Sequence, residues 1–241
     1  MAEPAQGPGH GRASRPVLVL GSASPARATL LRNAGIAPVI LASDIDEDAL
    51  VAGWRVTDPA LAEDPVRLPQ ALAHAKALDV AGKVRDGALG PAGGGSAGGG
   101  PAGGGRVLVV GADSMLDVEG AILGKARSAQ EVRDRWATMA GRTGVLVTGH
   151  TVVDVADGRV VAATVTTQIR FGRPDPAELE AYIASGEPLA VAGSCTIDGL
   201  GGPFIDGIDG DHTNVIGLAL PTLRALLAEL GVRWTDCWEL G

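Results

Sequence analysis

Three stretches of this chain predict an α/β fold. Val17–Leu20 is a short apolar run with the composition of a buried strand, and it leads through a small-residue turn into a helix start. Arg106–Asp113 (RVLVVGAD) is a second strongly apolar run, ending in a carboxylate. Gly144–Ala156 and Arg159–Phe171 are β-rich and meet at Asp157-Gly158, an antiparallel hairpin signal.

With 241 residues the chain can form one large α/β domain or two small ones. A formal net charge of −8 and the lack of a Lys/Arg block argue against a nucleic-acid groove or an anionic membrane surface. A nucleotide is still allowed, because it needs only a local cluster of positive groups. Cys195 and Cys237 are the only cysteines and have no CxxC spacing, so neither a zinc site nor a disulfide framework is expected. The opening residues lack the apolar core of a signal peptide, and no run approaches the ~18 apolar residues of a membrane span. The expectation is a soluble cytoplasmic protein.

Taken in order, residues 1–15 read as a flexible tail and 16–241 as a single domain. In Val17–Gly35, Ser24 is the N-cap, Pro25 the first helical residue and Gly35 the stop. Arg27 falls in the first helical turn, where a cation opposes the helix dipole. Two readings fit it. A bound phosphate, met by Ser22, Ser24, free N–H groups and Arg27, would remove the conflict; otherwise Arg27 simply points to solvent.

Pro38–Ala42 reads as a strand, followed by Asp44, Asp46, Glu47 and Asp48, either a solvated turn or ligands for a hard cation. Asp64–Val80 is expected to be a helix on which Leu68, Leu72 and Lys76 share a face. Spacing alone favours a snorkelling Lys76. Gly87–Gly105 is low-complexity and reads as a loop insertion. Asp113 then stands at a strand's carboxyl end, where open α/β sheets bind ligands.

Met115–Leu123 reads as a hairpin turning at Glu119-Gly120, with Gly124-Lys125 next. Ser128 and Glu131 form a capping box opening a helix to Ala140, and Asp175–Glu178 opens another that ends near Gly186. Ala192–Asp211 is glycine-rich with short apolar pieces, and Pro221–Leu230 is the last helix.

Seven ordered blocks resemble the Maf-like nucleotide pyrophosphatases. They are GSASPAR (Gly21–Arg27), SDIDE (Ser43–Glu47), AHAKA (Ala73–Ala77), GADS (Gly111–Ser114), ILGK (Ile122–Lys125), GEPLAVAGSCTIDGLGGPFI (Gly186–Ile205) and NVIGLALP (Asn214–Pro221). The resemblance implies an elongated mixed sheet flanked by helices, related to inosine-triphosphate pyrophosphatases, with a cleft between two lobes and usually a homodimer. It implies hydrolysis of a nucleoside triphosphate to the monophosphate and pyrophosphate, using Mg²⁺ or Mn²⁺. Position by position, Asp113 matches the proton acceptor. Ser22, Ser24, Arg27, Lys76 and Lys125 match phosphate contacts, and Glu47 an acidic residue near the metal that Asp113 also serves.

Ala26, Ser114 and Asp198 stand where the dTTP- and UTP-specific subgroup has Arg, Thr and Gln, so an altered or broadened base preference is expected. Cys195 replaces an aromatic common in its block and reads as a small apolar residue rather than a reactive thiol. The alternative to an enzyme is a nucleotide-binding regulator of cell division and septum formation, the role for which the family was first named.

Overall fold

The computed structural model describes residues 15–90 and 105–239. The expected tail, apart from Arg15, and positions 91–104 of the glycine-rich insertion lie outside the described residues. The elements are β1 (Val17–Leu20), α1 (Pro25–Asn33), β2 (Val39–Ile40), α2 (Glu47–Thr57), α3 (Pro59–Ala62), α4 (Arg67–Arg85), β3 (Val107–Val118), β4 (Ala121–Leu123) and α5 (Ala129–Met139). They continue with β5 (Thr143–Asp154), β6 (Val160–Phe171), α6 (Pro176–Ala184), α7 (Glu187–Ala190), β7 (Ile205–Asp209), α8 (His212–Ile216) and α9 (Leu220–Glu229). The expected α/β class and mixed sheet flanked by helices are therefore present.

The strands run in the order β2-β1-β3-β5-β6-β7, with β4 also on β3. Pairing is parallel from β2 to β3 and antiparallel from β3 to β7. The opening strand–turn–helix is as read from sequence: Ser24 caps α1, and Gly35 takes φ 84°, a left-handed value that suits glycine. Glu119 and Gly120, both at positive φ, turn the β3–β4 hairpin.

Strand alternation divides the core. Leu18, Leu20, Leu108, Val110 and Ala112 pack on one face with Leu31, Leu223 and Leu226 from α1 and α9. Val19 and Val109 pack on the other with Ala77, Val80 and Ala81 of α4. Further along β3, Leu116 and Val118 join a separate cluster with Trp136, Phe171 and Tyr182, supported by α5 and α6. One strand thus serves three clusters, and Asp113 and Ser114 fall between the two on its first half and the one on its second.

Several readings need correction. The strand carrying Asp113 does not stop there but runs on to Val118, because β5 continues to pair with it through Asp117. The acidic run is not a bare turn: it opens α2, which Asp46 caps by accepting from Ala49 N at 2.9 Å. Asp44 pairs with Lys83, and Asp48 faces Arg127 at 3.4 Å. At Ser128, Glu131 reaches past the cap to accept from Arg127 N, so the box does not close.

Candidate active site

The site grows out of an interruption in the sheet. On one edge of β3, pairing with β1 ends at Val110 and pairing with β4 begins at Leu116. Between them Gly111–Met115 stays bonded to β5 on the opposite edge. Asp113 lies in this gap, beyond the carboxyl end of β1, and strand alternation turns it and Ser114 to opposite faces.

Two glycines bring Lys76 to Asp113. A Cβ at Gly111 would lie 2.3 Å from the Ala73 carbonyl oxygen, and one at Gly149 only 2.4 Å from Gln70 Cα. Their absence of side chains lets α4 rest directly on the backbone of β3 and β5. Lys76 Nζ then lies 2.7 Å from Asp113 Oδ1 and 2.8 Å from Glu47 Oε1. The Lys76 side chain is only 12 % exposed, so it does not snorkel to water. Burial pushes the Asp113 carboxyl above its ordinary value, against the opposing pull of Lys76 and Arg27.

From the other face, Arg27 turns inward rather than to solvent. Its Nε donates to Gly217 O at 2.7 Å, Nη1 to Ser22 Oγ at 3.0 Å and Ala112 O at 2.9 Å, and Nη2 to Ser114 Oγ at 3.0 Å. The Ala112 carbonyl lies on the strandless edge of β3, so the guanidinium supplies a bond that a neighbouring strand would have made. Charge-assisted hydrogen bonds worth about 1.5–3 kcal/mol each outweigh a dipole penalty of about 0.3–1 kcal/mol. Burial lowers the Arg27 pKa, partly offset by Asp113 and Glu47. Four of the five N–H groups of a guanidinium are thereby committed to protein acceptors.

The remaining expected residues divide. Ser24 Oγ caps α1, accepting from Arg27 N, and Ser22 Oγ accepts from Ser24 N at 3.2 Å. Ser114 Oγ also bonds Thr148 Oγ1 at 2.9 Å, so its hydroxyl belongs to the Arg27 hub. Ala26 is half-buried on α1. Lys125 is exposed and, among the described residues, its ammonium forms no ion pair or hydrogen bond with the Asp113 cluster. Asp198 is likewise exposed. Cys195 packs beside the α5–α6 core, and burial pushes its thiol up to about 12, in keeping with a packing role.

Sequence reading missed the residues that set these loops. Arg135, its side chain 9 % exposed, donates to Gly124 O at 2.6 Å, Lys125 O at 3.3 Å and Ser194 Oγ at 3.2 Å. It thus fixes the Lys125 backbone, which bridges Ala192. Glu187 accepts from Leu200 N and Gly201 N, each at 3.0 Å, and from the Thr196 hydroxyl, clasping the loop that carries Asp198. Burial pushes the Glu187 carboxyl up, but these bonds more than reverse it. Arg135 left no signal, being one arginine among several on a polar helix. Gly111 and Gly149 did leave one: glycine inside an apolar strand marks a close backbone approach.

His150 lies fully buried on β5, its Nε2 accepting from Ala219 N at 2.8 Å. Burial and the nearby Arg27 push its pKa down to about 4. Among the described residues no group of three or more His, Cys, Asp or Glu side chains could hold a metal ion. Glu47 and Asp113, joined through Lys76, are the carboxylate pair on hand. A hard divalent cation of the Mg²⁺ type fits such a pair, since it is usually held by one or two carboxylates plus water and substrate phosphates.

The fold and site define an α/β protein with a buried carboxylate flanked by cations at a gap in its sheet. Residues 17–230 match the family described as Maf-like protein, and the chain belongs to that family. It is similar to the nucleoside triphosphate pyrophosphatase of Streptomyces coelicolor, 51% identical over 221 residues, covering 92% of this chain and 94% of the relative. The protein of the same name from Streptomyces avermitilis is 48% identical with 92% and 94% covered. That from Nocardia farcinica is 46% identical with 92% and 96% covered.

Proposed function

We propose that this chain is a hydrolase that cleaves a nucleoside triphosphate to the monophosphate and pyrophosphate. The observation that carries this is the meeting of buried Asp113 with Lys76 and the Arg27 hub at the sheet gap. Family membership and the names of its relatives support the same reading.

In this reading Asp113 is the general base. Burial raises its carboxyl toward the working pH, which improves proton abstraction from an attacking water. Lys76 holds the base ionised and leaves Glu47 for a substrate phosphate. Arg27 offers its remaining N–H, with Ser22 and Ser24, at the start of α1. Lys125 contributes charge from the exposed side. Glu47 and Asp113 would hold Mg²⁺ or Mn²⁺, which lowers the pKa of bound water and neutralises phosphate charge.

Base preference rests on Ala26, Ser114 and Asp198. An ionised Asp198 accepts but does not donate, which favours a base bearing an exocyclic amine. Rates on a panel of dTTP, UTP, CTP and GTP test this, and a sharp preference for dTTP and UTP would refute it. A homodimer in the cytoplasm, without nucleic-acid or membrane partners, completes the proposal. The charge of −8 supports the exclusion of nucleic acid, and no described helix is long and apolar enough to cross a membrane.

Pyrophosphate release by wild type and Asp113→Asn tests the central reading. The expected result is turnover by wild type and a loss of about 10²–10⁴-fold in the variant. Nucleotide binding with no release by wild type would leave the regulator of septum formation.

A further inference from the structure

A second basic feature lies well away from Asp113. Arg142, Arg170 and Arg173 line a concavity of about 530 Å³ together with Gly141, Thr143, Phe171 and Asp206. Its wall includes Thr143 at the start of β5, six positions from Gly149, the cross-strand partner of Asp113. At about 3.3 Å per residue this is roughly 20 Å along the strand.

Three arginines lining one concavity on a chain of net charge −8 run against its general charge balance. Arg142 pairs with Glu119. Among the described residues, Arg170 and Arg173 have neither an ion pair nor a side-chain hydrogen bond. Asp206, the single carboxylate in the wall, forms no ion pair with any of the three.

The backbone is shaped to hold the two free guanidiniums. A Cβ at Gly207, the cross-strand partner of Arg170, would lie 2.2 Å from Arg170 Nη2. A Cβ at Gly141 would lie 2.3 Å from Arg173 Cζ. Each guanidinium therefore lies against bare backbone at a glycine. The β6–β7 register also shifts between Arg170 and Phe171, an irregularity of the kind that re-aims side chains next to sites.

We propose that this concavity is a binding site for a small, multiply charged oxyanion of the phosphate class. Planar guanidiniums match the paired oxygens of such an ion and hold it bidentately. With Arg142 offset by Glu119, Arg170 and Arg173 supply the charge that the ion neutralises. Inorganic phosphate from solution and pyrophosphate share this chemistry. The proposal does not depend on the reading of the Asp113 site.

The test is nuclear magnetic resonance of the arginine Nε–H groups in the full chain, titrated separately with inorganic phosphate and pyrophosphate. Arg170→Lys and Arg173→Lys assign the two signals. Saturable shifts at Arg170 and Arg173, absent at Arg55 and Arg224, which are likewise exposed, are expected with at least one ion. The ion that saturates at the lower concentration identifies the source.

Combined Arg170→Ala and Arg173→Ala is expected to weaken this binding about tenfold or more while leaving the unfolding transition and turnover unchanged. Three results would overturn the proposal: no saturable shift with either ion, shifts shared equally by Arg55 and Arg224, or unchanged calorimetric binding in a folded double-alanine protein when Asp113→Asn, Lys76→Met is the common background.

Discussion

Lys76 and Lys125 are both proposed to meet phosphate, yet the fold treats them in opposite ways. Lys76 rides on the 19-residue helix α4, pressed onto bare strand backbone, and bridges two carboxylates from a nearly buried position. Lys125 is exposed on a loop, and what the structure fixes there is its backbone, through Arg135 and the bridge to Ala192. A charge held out of water acts through a lower effective dielectric than one in solvent. The contrast separates a buried cation that tunes Asp113 from an exposed one that is proposed to guide a polyphosphate.

The largest expected break in this contrast is Lys76→Met. It should lower kcat/KM about 10²–10³-fold, and it should also move the pH profile. Lys76 draws the Asp113 pKa down, so its removal raises that pKa and shifts the acidic limb of kcat/KM to higher pH. A matching limb in wild type and variant would deny the coupling. Lys125→Met, by comparison, should cost about fivefold or less, read mainly in KM and reduced by salt.

A second test concerns the buried half alone. His150 has its folded pKa depressed from 6.5 to about 4, so protonation favours the unfolded chain. The stability tied to its neutral form is present above pH 6.5 and is lost as pH falls toward 4, by up to about 3 kcal/mol. Urea unfolding across this window should show the loss in wild type and a flatter dependence in His150→Gln.

Gly111→Ala probes how α4 is seated. The added methyl meets Ala73 O at 2.3 Å and Ala77 Cβ at 2.8 Å, so the helix must lift. A destabilisation of about 1–3 kcal/mol is expected, with Lys76 drawn away from Asp113 and the acidic limb again moved upward. A variant with wild-type stability and pH profile would show that the close approach is not required.

The smallest effect is expected at Arg135→Ala. Releasing the Lys125 backbone should raise KM severalfold while leaving kcat nearly unchanged, since the proposed general base, Asp113, is untouched. If Arg135 acts only by holding Lys125 in place, Lys125→Met and Arg135→Ala combined should cost no more than the larger single change. Independent contributions would instead add.

The sequence by itself determined the elements whose signals are local. Ser24-Pro25 starts α1, Gly35 ends it, Glu119-Gly120 turns a hairpin, and apolar runs mark β1 and the first part of β3 as buried strands. The seven blocks likewise determined the family. Tertiary structure alone decided that Arg27 turns inward, because its partners at Gly217, Ala112 and Ser114 lie 85 to 190 positions away along the chain. It also decided that Asp113 sits mid-strand yet beside an unpaired stretch of edge, which depends on where β1 stops. Nearby spacing carries capping and periodicity; hydrogen bonds across folded distances and the ending of one strand against another exist only once the sheet has formed.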